Sequence, residues 1–213
     1  SSTMNTSTRL DNLTLATGNV NGPTNRSYWI LQGKFAAGAY PGKEHSGSHE
    51  LDAENIKALE KCGIEVFINL TQDYEGGTDA HLDRYDAFLS PNAIVERFPI
   101  PDVSVPPIDL MNEVLDCIDS NLAEGRGVYV HCWGGIGRAG STVACWLMRH
   151  GYTTEDNVID TLADLRRGDR GAGYRMSPET PAQCEFVLSW PPKEISAADR
   201  TVGCLMGGAV GDA

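Results

Sequence analysis

The segment that most limits what this chain can become runs from residue 128 to about 150. Val128-Tyr129-Val130 leads straight into His131-Cys132-Trp133-Gly134-Gly135-Ile136-Gly137-Arg138-Ala139-Gly140, and an apolar stretch then continues to about His150. A β-prone run, a glycine-rich turn and an apolar helix together make one strand-to-helix unit of a layered α/β domain. The rest of the chain has to supply the neighbours that bury both faces of such a strand.

The flanking pattern does so. Tyr28–Leu31 and Phe35–Tyr40 read as two short strands around Gln32-Gly33-Lys34, closed by the Pro41-Gly42 turn. Residues 50–61 carry Leu51, Ile56 and Leu59 at helical spacing, and Gly63 ends that helix. Ile64–Leu70 and Ile94–Ile100 read as strands, with a helix expected over 78–90. Pro106-Pro107 opens a long helix whose apolar stripe is Leu110, Val114, Leu115, Ile118 and Leu122. Further helices are expected over roughly 154–166 and from near Ser177 to Pro191-Pro192. The alternation predicts an α/β fold with a mostly parallel central sheet of about four to five strands flanked by helices. Three regions are expected: a flexible extension over 1–27, the main domain over 28–190, and a C-terminal segment over 191–213.

Composition narrows the class. A chain of 213 residues fits one domain with extensions. The net charge of −12 argues against a nucleic-acid binder, which would show a basic stripe. The longest apolar run, Val143–Met148, is far short of the roughly 18–20 residues of a membrane span, so no membrane partner is expected. No apolar block follows a basic N-terminus, and the six cysteines form neither close pairs nor a zinc-type spacing. The expectation is a reduced, cytoplasmic protein with no metal site.

Cys132 and Arg138 bracket the glycine-rich turn, and that bracket carries the chemistry. Glycines at 134, 135 and 137 let successive backbone N–H groups aim at one point, and a nest of that kind at a helix N-terminus binds an oxyanion. The same field favours a thiolate at Cys132. Arg138 offers a rigid fork able to grip two phosphoryl oxygens. Taken alone, Cys132 is an ordinary small core residue; with the whole run it describes nucleophilic displacement at phosphorus. A nucleotide P-loop does not fit, because no Gly-Lys-Ser/Thr follows.

The string His-Cys, five residues, Arg resembles the active-site motif of the cysteine-dependent protein tyrosine and dual-specificity phosphatases, and the likeness extends over about 28–190. It implies a tyrosine-phosphatase-like fold and phosphomonoester hydrolysis through a phosphocysteine intermediate. It also implies that Cys132 is the nucleophile, and that the amides of Trp133, Gly134, Gly135, Ile136 and Gly137 hold the phosphate with Arg138. His131 and Ser141 would support the loop. Asp102, in Ile100-Pro101-Asp102, looks like the family's general acid, with Asp73, Glu75 and Asp109 as rivals. Gln183 is a candidate to orient water for the second step; the plain alternative for its segment is a helix start capped by Ser177 with Pro178 in the first position, which accounts for Ser177, Pro178 and Glu179. Trp133 either stacks on a substrate ring or packs inward. Among the basic residues 166–175, a solvated loop is the reading for Arg166 and Arg167, while Arg170 and Arg175 are candidates for touching the anionic substrate. Ala139 departs from the family, which commonly has Ser or Thr there to bond the cysteine sulfur. No cofactor is implied, since the loop and Arg138 supply the positive field. The partner would be a phosphorylated protein or a small phosphorylated molecule, with a phosphate-binding module lacking turnover as the rival class.

The last 15 residues, Asp199–Ala213, resemble the opening of the ADP-ribosylglycohydrolase family, which would make this chain the phosphatase part of a longer fusion.

Overall fold

The computed structural model describes residues 10, 13–43 and 51–191. Five strands form one sheet: β1 (Ser27–Leu31), β2 (Phe35–Gly38), β3 (Ile64–Asn69), β4 (Ile94–Arg97) and β5 (Gly127–His131). Their order is β1-β2-β5-β3-β4. Strand β1 runs antiparallel to β2, and the remaining pairs are parallel. The helices are α1 (Ala53–Lys61), α2 (Ile108–Ala123), α3 (Arg138–Arg149), α4 (Val158–Arg166) and α5 (Pro181–Leu188). This is the mixed α/β architecture, with its mostly parallel sheet, that the alternation implies.

Both faces of the sheet are buried over β1, β2 and β5 and over most of β3, while the edge strand β4 is exposed to half-buried, and the period of two sorts side chains between the faces. Val128 and Val130 join Val66, Ile68, Val143 and Trp146 in the larger core. Tyr129 points the other way, with Phe67, Tyr85 and Ile56, into a smaller aromatic core. Helix α3 is buried from Arg138 through Leu147, which is why it is apolar on nearly all sides. Gly140 in its first turn is required by contact: a Cβ there would overlap the Ser177 hydroxyl.

Several expectations are corrected. Residues 78–90 form turns and one short 3-10 turn, Asp86–Phe88, rather than a helix. Side chains there bond the local backbone in competition with a helix: the Asp79 carboxylate accepts from the Gln72 amide, and the Gln72 side chain from Thr78. The last helix starts at Pro181, not near Ser177. Thr180 and Gln183 form its capping box, while Ser177 is drawn away to donate to the Ile136 carbonyl. The expected extension also reaches too far, because residues 13–26 lie against the domain. Ala16 N–H donates to Ile30 O, Gly22 N–H donates to Gly168 O, and Arg26 is buried. Arg166 does not belong to a solvated loop. It is fully buried and donates to the carbonyls of Ala172 and Arg175, which fixes the 167–175 turn.

Among the described residues no helix is long and apolar enough to cross a membrane. The resemblance over 199–213 lies outside the described residues.

Candidate active site

In a parallel sheet, groups that act together gather where the strands end. Here β2, β3, β4 and β5 all end at one edge, and β1 begins there because it is antiparallel; Ser27 pairs with Gly38 and His131 with both Gly38 and Asn69. The loops leaving that edge deliver Cys132, Arg138 and Asp102 to one cleft of about 190 Å³. A larger groove of about 1120 Å³, lined by Ile108, Met148 and Trp190, shares none of its residues with that cleft.

Cys132 is 3% exposed and lines the cleft, and its Sγ accepts a hydrogen bond from the Gly135 N–H at 3.2 Å. The loop has room for one backbone path only. Gly135 has φ +74, and a Cβ there would stand 2.5 Å from the carbonyl carbon of Gly38. The turn therefore lies directly against the end of β2. The α3 N-terminus that follows carries no side-chain cap on Gly137, so its first amides remain available to an anion.

Arg138 is held by a bidentate ion pair with Asp79. Nη1 donates to Oδ2 at 2.8 Å and Nη2 to Oδ1 at 2.9 Å, with both side chains essentially inaccessible to solvent. Nη1 also donates to the Ile100 carbonyl at 2.9 Å, and Nη2 lies 3.0 Å from Asp102 Oδ1. Burial alone would push the Asp79 carboxyl up; the Arg138 fork, the Gln72 amide and the Thr78 hydroxyl outweigh it and hold the carboxyl below its ordinary value. The Arg138 Nε is buried without a hydrogen-bond partner, so one donor of the fork is left for a ligand.

Asp102 sits at the cleft with its carboxylate 36% exposed. Its own N–H donates to the Thr78 hydroxyl, and its Oδ1 accepts from the Val103 N–H. Val103 has φ +56, a left-handed conformation that a β-branched residue rarely takes, so this loop is held in a special shape. The rival acids lie elsewhere. Asp73 is buried, bonded by Tyr40 and Asn69 and flanked by Arg84 and Arg97. Glu75 and Asp109 are exposed and do not line the cleft.

His131 is fully buried, and burial pushes its imidazole down to about 3, so the ring is neutral. The Cys132 carbonyl can only accept, so Nδ1 carries the proton, and Nε2 accepts from the Tyr85 hydroxyl at 2.7 Å. Ser141 donates to the Gly137 carbonyl rather than to the cysteine sulfur, and Ala139 has nothing to donate. The amide of Gln183 is already engaged: its Oε1 accepts from the Glu179 and Thr180 amides, and its Nε2 donates to the Ser104 carbonyl. Gln183 therefore ties α5 to the Asp102 loop, and Glu179 is the member of that segment that lines the cleft. Trp133 is half-buried against the smaller core, with the Lys43 ammonium 4.2 Å from its ring centroid and His81 edge-on. Arg175 lines the cleft, and Arg170 does not.

Sequence reasoning missed Asp79, Arg26, Lys43 and Glu179. Lys43 follows the end of β2, where the strand-end rule would have found it, whereas the same rule at β3 points to Asp73 and Glu75 and passes over Asp79, ten positions beyond the strand. Arg26 precedes β1 and reaches the same edge only because β1 and β2 form a hairpin; it donates to the Gly134 carbonyl at 2.9 Å and to Asp169. No local signal marks Glu179, which reaches the cleft through the path of the chain before α5.

Comparison with known proteins agrees with this geometry. A family model described as Tc-R-P, polymorphic toxin system, DSP-PTPase phosphatase, matches residues 42–152. Cyclin-dependent kinase inhibitor 3 of Sus scrofa is 29% identical over 136 residues, covering 60% of this chain and 61% of that protein. Dual specificity protein phosphatase CDC14B of Mus musculus is 30% identical over 147 residues, covering 66% of this chain and 27% of that protein. The chain thus spans less than two thirds of the length of these curated relatives. A solved structure of kinase associated phosphatase, its catalytic-site cysteine replaced by serine, superposes with a TM-score of 0.60 at 23% identity, over 73% of this chain and 84% of that one. PTPMT1 in complex with PI(5)P superposes with a TM-score of 0.55 at 18% identity, over 74% and 89%. Both share the fold.

Proposed function

We propose that this chain, which belongs to the DSP-PTPase phosphatase family of polymorphic toxin systems, hydrolyses phosphomonoesters through a phosphocysteine intermediate, as a tyrosine or dual-specificity type of phosphatase. The observation that carries the reading is the cleft itself. The Cys132 sulfur is bonded by the Gly135 amide, beneath an arginine whose buried Nε has no partner. A dianionic phosphoryl group is the ligand that such a set of donors fits.

Cys132 attacks phosphorus in line, forming the S–P bond as the P–O bond to the leaving group breaks. The loop amides and Arg138 take up the charge on the three equatorial oxygens, a role favoured by the Asp79 clamp that fixes the arginine beforehand. Asp102 gives its proton to the departing oxygen and then receives one from the water that cleaves the thiophosphate. Asp79 keeps the Arg138 fork in one orientation and is a positioning residue. The missing hydroxyl at 139 leaves the sulfur dependent on backbone amides, and the reading gives the hydrolytic water to Glu179, which lines the cleft, because the Gln183 amide is bonded to backbone groups. In the setting that the family description names, the domain would remove phosphate from a phosphorylated target.

The test is hydrolysis of p-nitrophenyl phosphate by the wild type and two variants. Cys132→Ser is expected to abolish turnover while retaining oxyanion binding, and Asp102→Asn to lower the rate by about 10²–10⁴-fold. Full activity in Cys132→Ser ends the mechanism. Unchanged activity in Asp102→Asn removes Asp102 from the acid role and passes it to Glu179, the other carboxylate at the cleft.

A further inference from the structure

Four cationic side chains line this small cleft in a chain of net charge −12: Arg26, Lys43, Arg138 and Arg175. Two of them are already committed. Arg138 is clamped by Asp79, and Arg26 by Asp169 together with the Gly134 carbonyl. The other two have no carboxylate partner among the described residues. Lys43 is only 7% exposed, and the contact its ammonium makes is with the Trp133 ring. Burying an ammonium without a counter-charge is costly, and nothing in the single-phosphate mechanism uses it.

Lys43 and Arg26 both attach to the start of the catalytic loop, at Trp133 and Gly134, whereas Arg138 closes its far end. The turn bearing Arg175 is rigidly tied to the same place. The Asp169 carboxylate that holds Arg26 also accepts the amides of Gly171 and Ala172, and Arg166 bonds the Arg175 carbonyl. Lys43 and Arg175, neither ion-paired with a carboxylate among the described residues, stand beside the phosphate cradle, which Glu179 also lines, and offer two donors to one further phosphoryl group.

We infer that the substrate carries a second phosphoryl group, held by Lys43 and Arg175 with Arg26 behind them, while the first is attacked by Cys132. The inference rests on the phosphatase reading above. The cleft of about 190 Å³ places the two groups close together, which favours a compact soluble bisphosphate over a macromolecule. One phosphoryl group leaves as inorganic phosphate, and the second stays on the product. Burial, with Arg26 and Arg175 adding to it and Cys132 and Asp169 opposing, pushes the Lys43 ammonium down to about 8. The subsite is therefore strongest below that pH and fades above it as Lys43 loses its proton.

The experiment measures kcat/KM for phosphate release from matched pairs. The pairs are 2,3-bisphosphoglycerate against 3-phosphoglycerate, a doubly against a singly phosphorylated peptide, and vesicles bearing phosphatidylinositol 4,5-bisphosphate against the 4-phosphate. The soluble pair is expected to favour the bisphosphate by about 10- to 100-fold, the order of one or two charge-assisted contacts. Lys43→Met and Arg175→Met should each reduce that ratio by about tenfold or more. Arg175 is exposed, so its variant tests the subsite even where Lys43→Met folds poorly. Turnover of p-nitrophenyl phosphate with a ratio near one for the soluble pair, or a preference confined to the peptide or vesicle pair, overturns the inference and leaves the phosphatase reading standing. Absence of turnover on every substrate, p-nitrophenyl phosphate included, overturns both.

Discussion

Replacing Asp79 by Asn isolates the contact on which the cleft depends. The wild-type carboxylate accepts two parallel bonds from Arg138, at 2.8 and 2.9 Å, with neither side chain reachable by solvent. The amide keeps one acceptor oxygen and presents an NH₂ group to a guanidinium N–H, so one bond is lost and the buried charge loses its counter-ion. Removing one partner of a buried pair costs about 3–5 kcal/mol. The Ile100 carbonyl and Asp102 stay in contact with the fork, so the expected loss is at the lower end, about 3 kcal/mol. Urea denaturation reads it as a lower midpoint at unchanged slope. Competitive inhibition by phosphate or vanadate reads the second consequence: a fork free to rotate binds the oxyanion about 10- to 100-fold more weakly, the worth of one charge-assisted contact. Because the pair is buried, neither effect should shrink when salt is raised from low to moderate ionic strength. A denaturation midpoint within the wild-type error together with unchanged inhibitor binding would refute the claim that Asp79 holds Arg138. Normal stability with lost inhibitor binding would refute the energetic argument and leave a purely local role.

Gly135→Ala places a methyl group against the Gly38 backbone in a left-handed conformation, and is expected to abolish p-nitrophenyl phosphate turnover and lower thermal stability; a fully active variant would show that the loop follows a different path. His131 contributes stability that is fully present above the unfolded-state pKa of about 6.5 and is lost as pH falls toward its folded value of about 3. From pH 6 to 4 the linked loss is about 2–3 kcal/mol, measurable as the difference in denaturation free energy between wild type and His131→Asn. An equal pH slope in the two proteins would sink that assignment. Gln183→Ala should release the Ser104 carbonyl and unlatch the Asp102 loop, so that kcat falls while phosphate inhibition stays near wild type; loss of inhibitor binding with unchanged kcat would contradict the latch.

The parts of the site readable from sequence are those in which neighbouring residues cooperate. The catalytic loop is contiguous, and its glycines, cysteine and arginine are constrained together by one turn. Asp102 was legible only through the family resemblance that the Cys132 motif brings, because an Asp between prolines by itself reads as an ordinary turn. Asp79 was not: residues 78–90 carry apolar side chains at spacings compatible with a helix, whereas local bonds to the Gln72 amide and the long-range pairing with Arg138 hold the Asp79 carboxylate in a loop. Gln183 shows the opposite failure. Its position beside the loop suggests chemistry, yet both ends of its amide are spent on backbone groups.

Arg26 ties these failures together. The Ser, Thr and Asn content of the first 27 residues reads as extension, because composition reports what a segment cannot bury by itself. What orders residues 13–26 is the edge of the sheet they meet: β1 must start where β2 ends, so the residue before β1 is delivered to the cleft by hairpin geometry alone. Once there, Arg26 needs a counter-charge, and Asp169 supplies it from a loop 143 positions away while gathering the amides that set Arg175. The cationic rim is therefore a product of topology. It follows that Asp169→Asn should weaken the rim at both Arg26 and Arg175 together. Its effect on the bisphosphate preference should match that of the Asp169→Asn, Arg175→Met double variant far more closely than the sum of the separate effects. Strict additivity would mean that the two cations act independently and that the shared anchor has no part in substrate choice.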